Sequence, residues 1–314
     1  MSDHAHIPVL LDETLEFLSK IKDGTVVDAT LGFGGHSFEI LARFPNIKLV
    51  AFDQDEVAIK LAVERLTPFE NRVELIHANF SDIERELTSR SITDVRAIIA
   101  DLGVSSMQFD SETRGFSFRF DAPLDMRMDV SLETETAADI LANRSEFKIA
   151  DIIYRFGEER FSRRIARRIV EERNAGRPIE TTKQLADLVS RSVRRGKRDA
   201  IHPATKTFQA LRIAVNRELE NLESFMTGAM NVLATDGILA IITFHSLEDR
   251  IVKNAFQRFA GKCICPPKAP QCVCGAKKIA EILTKKPIVP TAEEIDRNWR
   301  SRSAKLRAVR KIEN

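Results

Sequence analysis

The sequence VVDATLGFGGH at residues 26–36 decides the fold. It contains an apolar run that ends at Asp28, a glycine-rich turn, and the start of a helix-like segment at Gly35–Phe44. Glycines in such a turn let the backbone approach a ligand closely, and the N–H groups at the start of the helix face an anionic group. The stretch therefore predicts a strand, a ligand-binding turn and a helix, in that order.

The first third of the chain repeats this pattern. Four short apolar runs occur, and a helix-like segment follows each of the first three. The last residues of the four runs fall within 25–29, 49–52, 73–77 and 97–100. The three helix-like segments are Gly35–Phe44, Asp55–Leu66 and Ser81–Thr88. Strand, turn and helix repeated in this way predict a parallel sheet with crossover helices.

The pattern changes after Ser106. Residues 107–131 are irregular, and the segments that follow up to Val193 have a helical period without strands. A long amphipathic stretch then runs from about Ala204 to Leu233, and strand patterns return at 237–243 and 305–309. We therefore predict an α/β fold whose core, residues 1–107 and 201–314, is interrupted by a helical domain at 108–200.

Composition and charge narrow the class of protein. Of 314 residues, 43% are hydrophobic and 30% charged, and no apolar run is long enough to cross a bilayer. With no export signal in sight, we expect a cytoplasmic protein without a membrane partner. The net charge is only +2, but residues 160–198 hold thirteen Lys and Arg against four Asp and Glu. This basic segment is either a contact for a phosphate backbone or the solvated face of a helix.

A carboxylate at the end of the second strand limits the classes of cofactor that fit the sequence. Asp53 follows Gly32 by about twenty residues, the spacing of an acid that binds ribose hydroxyls. Dinucleotides and S-adenosylmethionine share this feature. The dinucleotide fingerprint requires glycine or alanine where this chain has Ser37. The order D-x-T-x-G-x-G from Asp28 is closer to the methyltransferase pattern D/E-x-G-x-G-x-G, with Thr30 in place of the first glycine, and favours S-adenosylmethionine.

The third and fourth strands end at two further candidates. Phe80 lies where such enzymes hold adenine, and its ring either stacks on the base or belongs to the core. Asp101 leaves the fourth strand at the edge where ligands bind, and a carboxyl group there is costly to bury without a function. The D/N/S-P-P-Y/F motif of many amino-group methyltransferases is absent after Asp101, so the sequence leaves the acceptor atom open.

A series of ordered motifs resembles one known family. The motifs are HIPVLL (6–11), TLGFGGH (30–36), DLGVSS (101–106), RGFSF (114–118), PLDMRMD (123–129), GEERF (157–161), HPATKTFQA (202–210) and FHSLEDR (244–250). Together they resemble the bacterial RsmH family, also named MraW, from about His6 to Val309. The resemblance implies a class I S-adenosylmethionine-dependent methyltransferase (Rossmann-like) that acts on N4 of a decoding-centre cytidine in 16S rRNA. Its partner would be the small ribosomal subunit, the helical domain at 108–200 would recognise the RNA, and a homodimer is left open.

The resemblance also implies site residues. The cofactor-binding positions it implies are Gly34, Gly35, His36, Asp53, Phe80, Asp101 and Gln108. We further take Asp101 as the catalytic candidate that accepts a hydrogen bond from the acceptor amine, while alignment of the reacting atoms supplies most of the rate. The RNA-binding candidates are Arg114, Phe116, Phe118, Arg127, Arg164, Arg168, His202 and His245. The alternatives are that the two phenylalanines anchor a loop and that the two histidines are structural.

All four cysteines lie close together. Cys263, Cys265, Cys272 and Cys274 form C-x-C…C-x-C. Four thiolates are able to hold a structural zinc ion, although the usual spacing within a pair is C-x2–4-C. Reduced thiols in a surface loop are the alternative.

Three other functions remain open from the sequence. The chain could methylate another acceptor, such as DNA or a protein, or it could be a non-catalytic RNA-binding assembly factor that keeps the fold. A nicotinamide-dependent reductase is disfavoured by the glycine spacing.

Overall fold

The computed structural model describes residues 8–105, 108–109, 111–193, 202–263, 265 and 276–313. The chain forms two compact units. One combines residues 1–103 with 219–314, and the other is continuous from 104 to 218. We name them the sheet unit and the helical unit. Within the described ranges, no helix has the length and apolar character needed to cross a membrane.

The sheet unit contains a seven-stranded sheet in the order β3-β2-β1-β4-β5-β7-β6. Its strands are β1 (Gly24–Asp28), β2 (Ile47–Asp53), β3 (Val73–His77), β4 (Val95–Asp101), β5 (Leu233–Thr243), β6 (Ala280–Ile282) and β7 (Lys305–Lys311). The first five strands pair in parallel, and β7 is antiparallel to both β5 and β6. This confirms the predicted fold class, an α/β class I methyltransferase sheet interrupted by a helical insertion.

Helices cover the sheet. They are α1 (Leu11–Leu18), α2 (Gly35–Arg43), α3 (Glu56–Leu66), α4 (Ile83–Ser89), α10 (Glu218–Val232), α11 (Ser246–Phe259) and α12 (Ala292–Arg297). Successive strand residues point to opposite faces, so Val27 packs in a cluster with Phe225 of α10 while Val26 packs in another with Leu41 of α2. Because both faces are buried, the central strands read as continuous apolar runs.

The strand register brings three carboxyl groups to one edge. β1 ends at Asp28, β2 at Asp53 and β4 at Asp101. Asp28 is level with Ala51 on one neighbouring strand and with Ile99 on the other, so the three side chains stand within two residues of the same level. The carboxyl edge of a parallel sheet is where ligands bind in open α/β folds.

The helical unit has a separate core. Its helices are α5 (Ala137–Asn143), α6 (Glu146–Gly157), α7 (Ser162–Asn174), α8 (Thr182–Ser192) and α9 (Ala204–Asn216). In α7 the apolar residues Ile165 and Ile169 are buried in this core, while Arg163, Arg164 and Arg167 are exposed on the other face. The charged segment of the sequence is therefore the outer face of an amphipathic helix.

The structure moves the second boundary of the insertion. The sequence pattern placed residues from 201 onward in the sheet core, but α9 belongs to the helical unit, which extends to Glu218. Phe208 and Leu211 of α9 are buried in the helical core. The amphipathic stretch predicted as one element breaks at Arg217, whose φ of 50° is left-handed. The first boundary also differs slightly, since the unit begins at Val104 rather than at 108.

Candidate active site

The turn between β1 and α2 forms one wall of the site. Gly34 has a φ of 68° and caps α2, a backbone conformation that side chains rarely adopt. A Cβ on Gly35 would lie 2.8 Å from Cγ of Pro8, so the segment before α1 packs directly on the turn. The N–H of Leu31 donates to the carbonyl of Phe52 at 2.8 Å and fixes the turn against β2.

Asp28 is the buried base of this turn. Its carboxyl group accepts hydrogen bonds from the Ser37 hydroxyl at 2.7 Å and from the Thr30 N–H at 3.1 Å. Burial raises the pKa of Asp28 to about 6, although these two hydrogen bonds oppose the rise. Asp28 therefore ties the start of α2 to the end of β1.

Asp53 accepts hydrogen bonds from backbone N–H groups. Its Oδ2 accepts from the N–H of Gly32 at 2.8 Å, and its Oδ1 accepts from the N–H of Asp55 at 2.8 Å. Dehydration raises the pKa of Asp53 to about 6. Each carboxylate oxygen has a second lone pair. The group can thus accept hydroxyl donors from a ligand without losing its hold on the turn.

Asp101 is the least satisfied of the three carboxyl groups. Its side chain is one-fifth exposed, and Oδ2 lies 3.9 Å from Nδ1 of His36. Its Oδ1 is buried and has no hydrogen-bond partner among the residues that the structure describes. Burial raises the pKa of Asp101 well above its ordinary value, with further increases from the negative charges of Asp28 and Glu248.

His36 connects Asp101 to the segment before α1. Its imidazole is buried, and Nε2 lies 3.1 Å from the carbonyl oxygen of Val9. A carbonyl only accepts, so Nε2 carries the proton and Nδ1 faces Asp101. The sheet unit therefore gathers Gly34, Gly35, His36, Asp53 and Asp101 at one edge, and their contact with a cofactor remains a prediction.

Two residues that depart from the sequence fingerprints take part in this arrangement. Thr30 replaces a glycine of the methyltransferase pattern, and its hydroxyl accepts the N–H of Asp101 at 2.6 Å. Ser37 occupies the third glycine position of the dinucleotide pattern and donates to Asp28. Sequence reasoning treated both as imperfect matches. Their hydroxyl groups were the signal, because glycine cannot supply these hydrogen bonds.

The last two predicted cofactor residues have other surroundings. Phe80 is half-buried and packs edge-to-face on Phe225, with ring centroids 5.1 Å apart. Gln108 belongs to the helical unit, where its Oε1 accepts the N–H of Ser105 at 3.1 Å. Their roles toward a cofactor remain predictions.

The predicted RNA-binding arginines of the irregular segment have internal partners. Arg114 donates to the carbonyl oxygens of Arg127 and Met128 at 3.0 and 2.9 Å. Arg127 makes a bidentate ion pair with Asp125 at 2.8 and 2.9 Å. Both guanidinium groups hold the loop together, and any phosphate contact would have to use their remaining N–H groups.

The aromatic candidates pack against other residues of the helical unit. Phe116 is 5% exposed and lies in the core of the helical unit, which is the anchoring role considered as the alternative. A buried ring cannot stack on a base, so the RNA-contact interpretation of Phe116 does not fit this structure. Phe118 is half-buried against Phe208 and stacks on His202 at 4.6 Å.

The remaining RNA candidates fall into two groups. His245 is the N-cap of α11, and its ring accepts the N–H of Glu248. This contact fits the structural alternative, and an RNA contact of His245 stays a prediction. Arg164 and Arg168 lie on α7, and neither makes a salt bridge with another described residue. Their contact with RNA stays a prediction.

The cysteine cluster lies mostly beyond the described ranges. Cys263 is exposed and Cys265 is half-buried, whereas Cys272 and Cys274 lie outside the described residues. The zinc hypothesis therefore rests on the sequence alone.

Comparison with known proteins identifies the family. The profile of the MraW methylase family matches residues 3–312. The chain belongs to this family. It is 47% identical over 310 residues to "Ribosomal RNA small subunit methyltransferase H" of Carboxydothermus hydrogenoformans, covering 99% of both chains. The protein of the same name from Clostridium botulinum is 50% identical over 308 residues, covering 98% of this chain and 99% of its own. Among solved structures, an rRNA methylase from Streptococcus thermophilus matches at 12% identity and a TM-score of 0.45, over 98% of this chain and all of that one.

The site of this methylase has a clear electrostatic preference. Three carboxyl groups share one partly dehydrated edge, and the pKa of each is raised, to about 6 for two of them. A cation at this edge would lower these pKa values and stabilise the ionised forms. An anionic ligand would add to the repulsion. The geometry therefore fits a positively charged ligand that also offers hydroxyl donors.

The buried carboxyl of Asp28 should make stability fall as the pH rises. The folded protein keeps the Asp28 proton up to about pH 6, while the unfolded chain releases it near pH 3.8. Between these values folding becomes weaker by about 3 kcal/mol from this group alone. In Asp28→Asn, urea unfolding from pH 4 to 7 should lack this loss. If the difference in unfolding free energy between wild type and variant does not change with pH, the assignment is wrong. Asp94→Asn, at the opposite edge of the sheet, serves as the control.

Proposed function

We propose that this chain transfers a methyl group from S-adenosylmethionine to N4 of a decoding-centre cytidine in 16S rRNA, acting in the cytoplasm on the small ribosomal subunit. The observation that carries the cofactor assignment is the buried Oδ1 of Asp101, which has no partner among the described residues and stands beside His36 and the glycine turn. Family membership and the names of the relatives support the rRNA substrate.

The residues at the carboxyl edge fit this donor. S-adenosylmethionine supplies an electrophilic methyl carbon on a positively charged sulfur. Asp53 would hold the ribose hydroxyls with the lone pairs that Gly32 and Asp55 leave open. The backbone of Gly34 and Gly35 would bring the donor close to β1, and a cation near Asp101 would lower the pKa of that carboxyl group toward ionisation.

Asp101 would then act on the acceptor. The lone pair of a cytosine amino group is delocalised into the ring, which makes the nitrogen a weak nucleophile. An ionised Asp101 can accept an N4–H hydrogen bond through the oxygen that lacks a partner, and this favours a pyramidal nitrogen whose lone pair points at the methyl carbon. As the N–C bond forms, the C–S bond would break and S-adenosylhomocysteine would leave, and the acidic methylated amine would lose its proton to water. Alignment of the two reacting atoms would supply most of the rate. The base must leave its stack to reach this edge.

The decisive experiment uses small ribosomal subunits that lack the modification. The subunits are incubated with the protein and with S-adenosylmethionine labelled in the methyl group, and the RNA is digested to nucleosides. We expect the label in N4-methylcytidine. Label in another nucleoside would replace the proposed acceptor. Tight donor binding without transfer to RNA would favour the non-catalytic assembly factor.

Asp53→Ala should weaken donor binding and spare the fold. Loss of hydrogen bonds to a charged acceptor costs about 1.5–3 kcal/mol, or roughly ten- to a hundredfold in affinity. Removing Asp53 relieves a dehydrated carboxyl group but leaves the N–H groups of Gly32 and Asp55 without this acceptor. These opposing effects should leave the variant folded, which urea unfolding checks. Titration calorimetry with S-adenosylhomocysteine measures the affinity, and Asp94→Ala is the matched carboxylate control. Wild-type affinity in the Asp53 variant would disprove this placement of the ribose.

Charge reversal on α7 tests the helical unit. Arg164→Glu with Arg168→Glu should weaken RNA binding and make it less sensitive to salt, by roughly 0.7–0.9 in the logarithmic slope per lost phosphate contact. Filter binding of small-subunit RNA at several salt concentrations measures the slope. Arg85→Glu, on exposed α4 of the sheet unit, is the control. An unchanged slope would return α7 to the role of a solvated helix face.

A further inference from the structure

The only tryptophan of the chain is exposed on a hydrogen-bonded turn of the sheet unit. Trp299 begins the short 3-10 helix Trp299–Ser303, and its side chain is 55% exposed. Ser301, two residues on, is fully buried and donates through both its N–H and its hydroxyl to the carbonyl of Asn298, at 2.9 and 2.8 Å. The Trp299 backbone is thus fixed, and its outward position is part of the fold.

This turn lies at the same edge of the sheet as the candidate active site. Asp101 of β4 is level with Ile242 of β5, and Ile242 is level with Leu306 of β7. Two strand spacings, about 10 Å, therefore separate Asp101 from β7 at this level. Because β7 is antiparallel, the residues that precede it project beyond the carboxyl edge, and the Trp299 turn ends directly before it at Ser303.

Helix α12, immediately before the turn, also reaches the N-terminal segment of the site. Glu294 accepts the N–H of Leu10 at 2.8 Å, and the neighbouring residue Val9 is the one that contacts His36. Asn298 continues α12 by donating to the Glu294 carbonyl at 2.7 Å. The turn is therefore connected by hydrogen bonds to the segment that packs on the glycine turn.

The charged residues around Trp299 differ in their pairing from those in β7. Lys305 and Arg307 pair with Asp249 at 3.4 and 2.6 Å. Arg297 and Arg302, on either side of Trp299, are exposed and make no ion pair or hydrogen bond with any other described side chain. The guanidinium group of Arg300 lies 5.8 Å from the centre of the indole ring. An exposed aromatic ring among cations is the combination that binds unpaired nucleotides, by stacking on the base and pairing with phosphate.

We infer that Trp299 is a stacking platform for an unpaired base of the RNA that flanks the acceptor nucleotide, with Arg297 and Arg302 as its phosphate contacts. This inference rests on the proposed RNA substrate. A base that leaves its stack to reach Asp101 disturbs its neighbours, and a ring on the turn that leads into β7 lies at the same edge of the sheet to receive one of them.

The first test uses the emission of Trp299, which reports on this surface alone. The protein is titrated with a single-stranded ribo-oligonucleotide of about ten nucleotides and, separately, with the same strand annealed to its complement. We expect strong quenching by the single strand and much weaker quenching by the duplex, whose bases are already stacked. Equal quenching by both, or none by either, would overturn the stacking role.

The second test compares substitutions at the platform. Loss of one stacked base costs about 1–3 kcal/mol, so Trp299→Ala should lower the affinity for the single strand about five- to 150-fold, while Trp299→Phe should recover most of it. The KM for small subunits should rise and the affinity for S-adenosylhomocysteine should stay unchanged, which also verifies the fold. Arg302→Gln should reduce the salt slope by roughly 0.7, and Arg96→Gln at the amino edge of β4 is its matched control.

The outcomes separate this inference from the proposed function. If the wild type methylates subunits and Trp299→Ala does so with the same KM and the same RNA affinity, the stacking inference is wrong and the proposed function stands. If the wild type transfers no methyl group to RNA, the proposed function fails, while the quenching and the affinity of Trp299→Ala still decide whether RNA binds here. Quenching by ribosomal proteins and not by RNA would overturn the inference in favour of a protein partner.

Discussion

Burying ionisable groups is costly unless they are neutralised or receive hydrogen bonds, and the sheet unit places three carboxyl groups at one edge. Asp28 receives donors from Thr30 of the turn between β1 and α2 and from Ser37 of α2. Asp53 receives donors from Gly32 of the same turn and from Asp55, the N-cap of α3. These carboxylates also fix the conformation of the turn between β1 and α2. Asp101 keeps one oxygen without a partner among the described residues, and a ligand with a positive charge or a donor would satisfy it.

The same constraint explains the residues that make the sequence fingerprints imperfect. A glycine at position 30 would leave the N–H of Asp101 without the Thr30 hydroxyl, and a glycine at position 37 would remove a donor from Asp28. Both positions exchange the flexibility of glycine for a hydrogen bond to a strand end. The class of cofactor follows from this chemistry as much as from the spacing of the glycines, since carboxylates in this number favour a cation over a pyrophosphate.

Most strands of the sheet could be predicted from the sequence, but not every point at which a helix ends. Parallel strands buried on both faces are read easily as apolar runs, which is why β1 to β5 were predictable. The three-residue strand β6 is too short to show a period. The break between α9 and α10 occurs at Arg217, and an arginine with left-handed φ carries no signal that glycine would have given. The ion pair of Arg212 with Glu218, at 2.8 Å, spans this break.

Within the site, the sequence could not predict contacts between residues that lie far apart in the chain. Strand ends and their carboxylates could be placed from the alternating pattern. The sequence could not show that one oxygen of Asp101 lacks a partner among the described residues, because the neighbours of Asp101 come from three segments. Arg114 was predicted to contact RNA, yet its acceptors are backbone carbonyls thirteen and fourteen residues away. The exposure of Trp299 likewise depends on a turn that only the packing of Ser301 defines.

The division of the chain into one continuous and one discontinuous unit has a consequence for synthesis. When the polypeptide emerges from its N-terminus, all of the residues 104–218 are available before β5 exists, so the helical unit can fold while the sheet still has only four strands. Until then the edge of β4 that pairs with β5 has exposed N–H and C=O groups, a template for pairing with another nascent chain. Slow elongation between residues 218 and 243 would prolong that exposure, and aggregation during translation should be most sensitive to this interval.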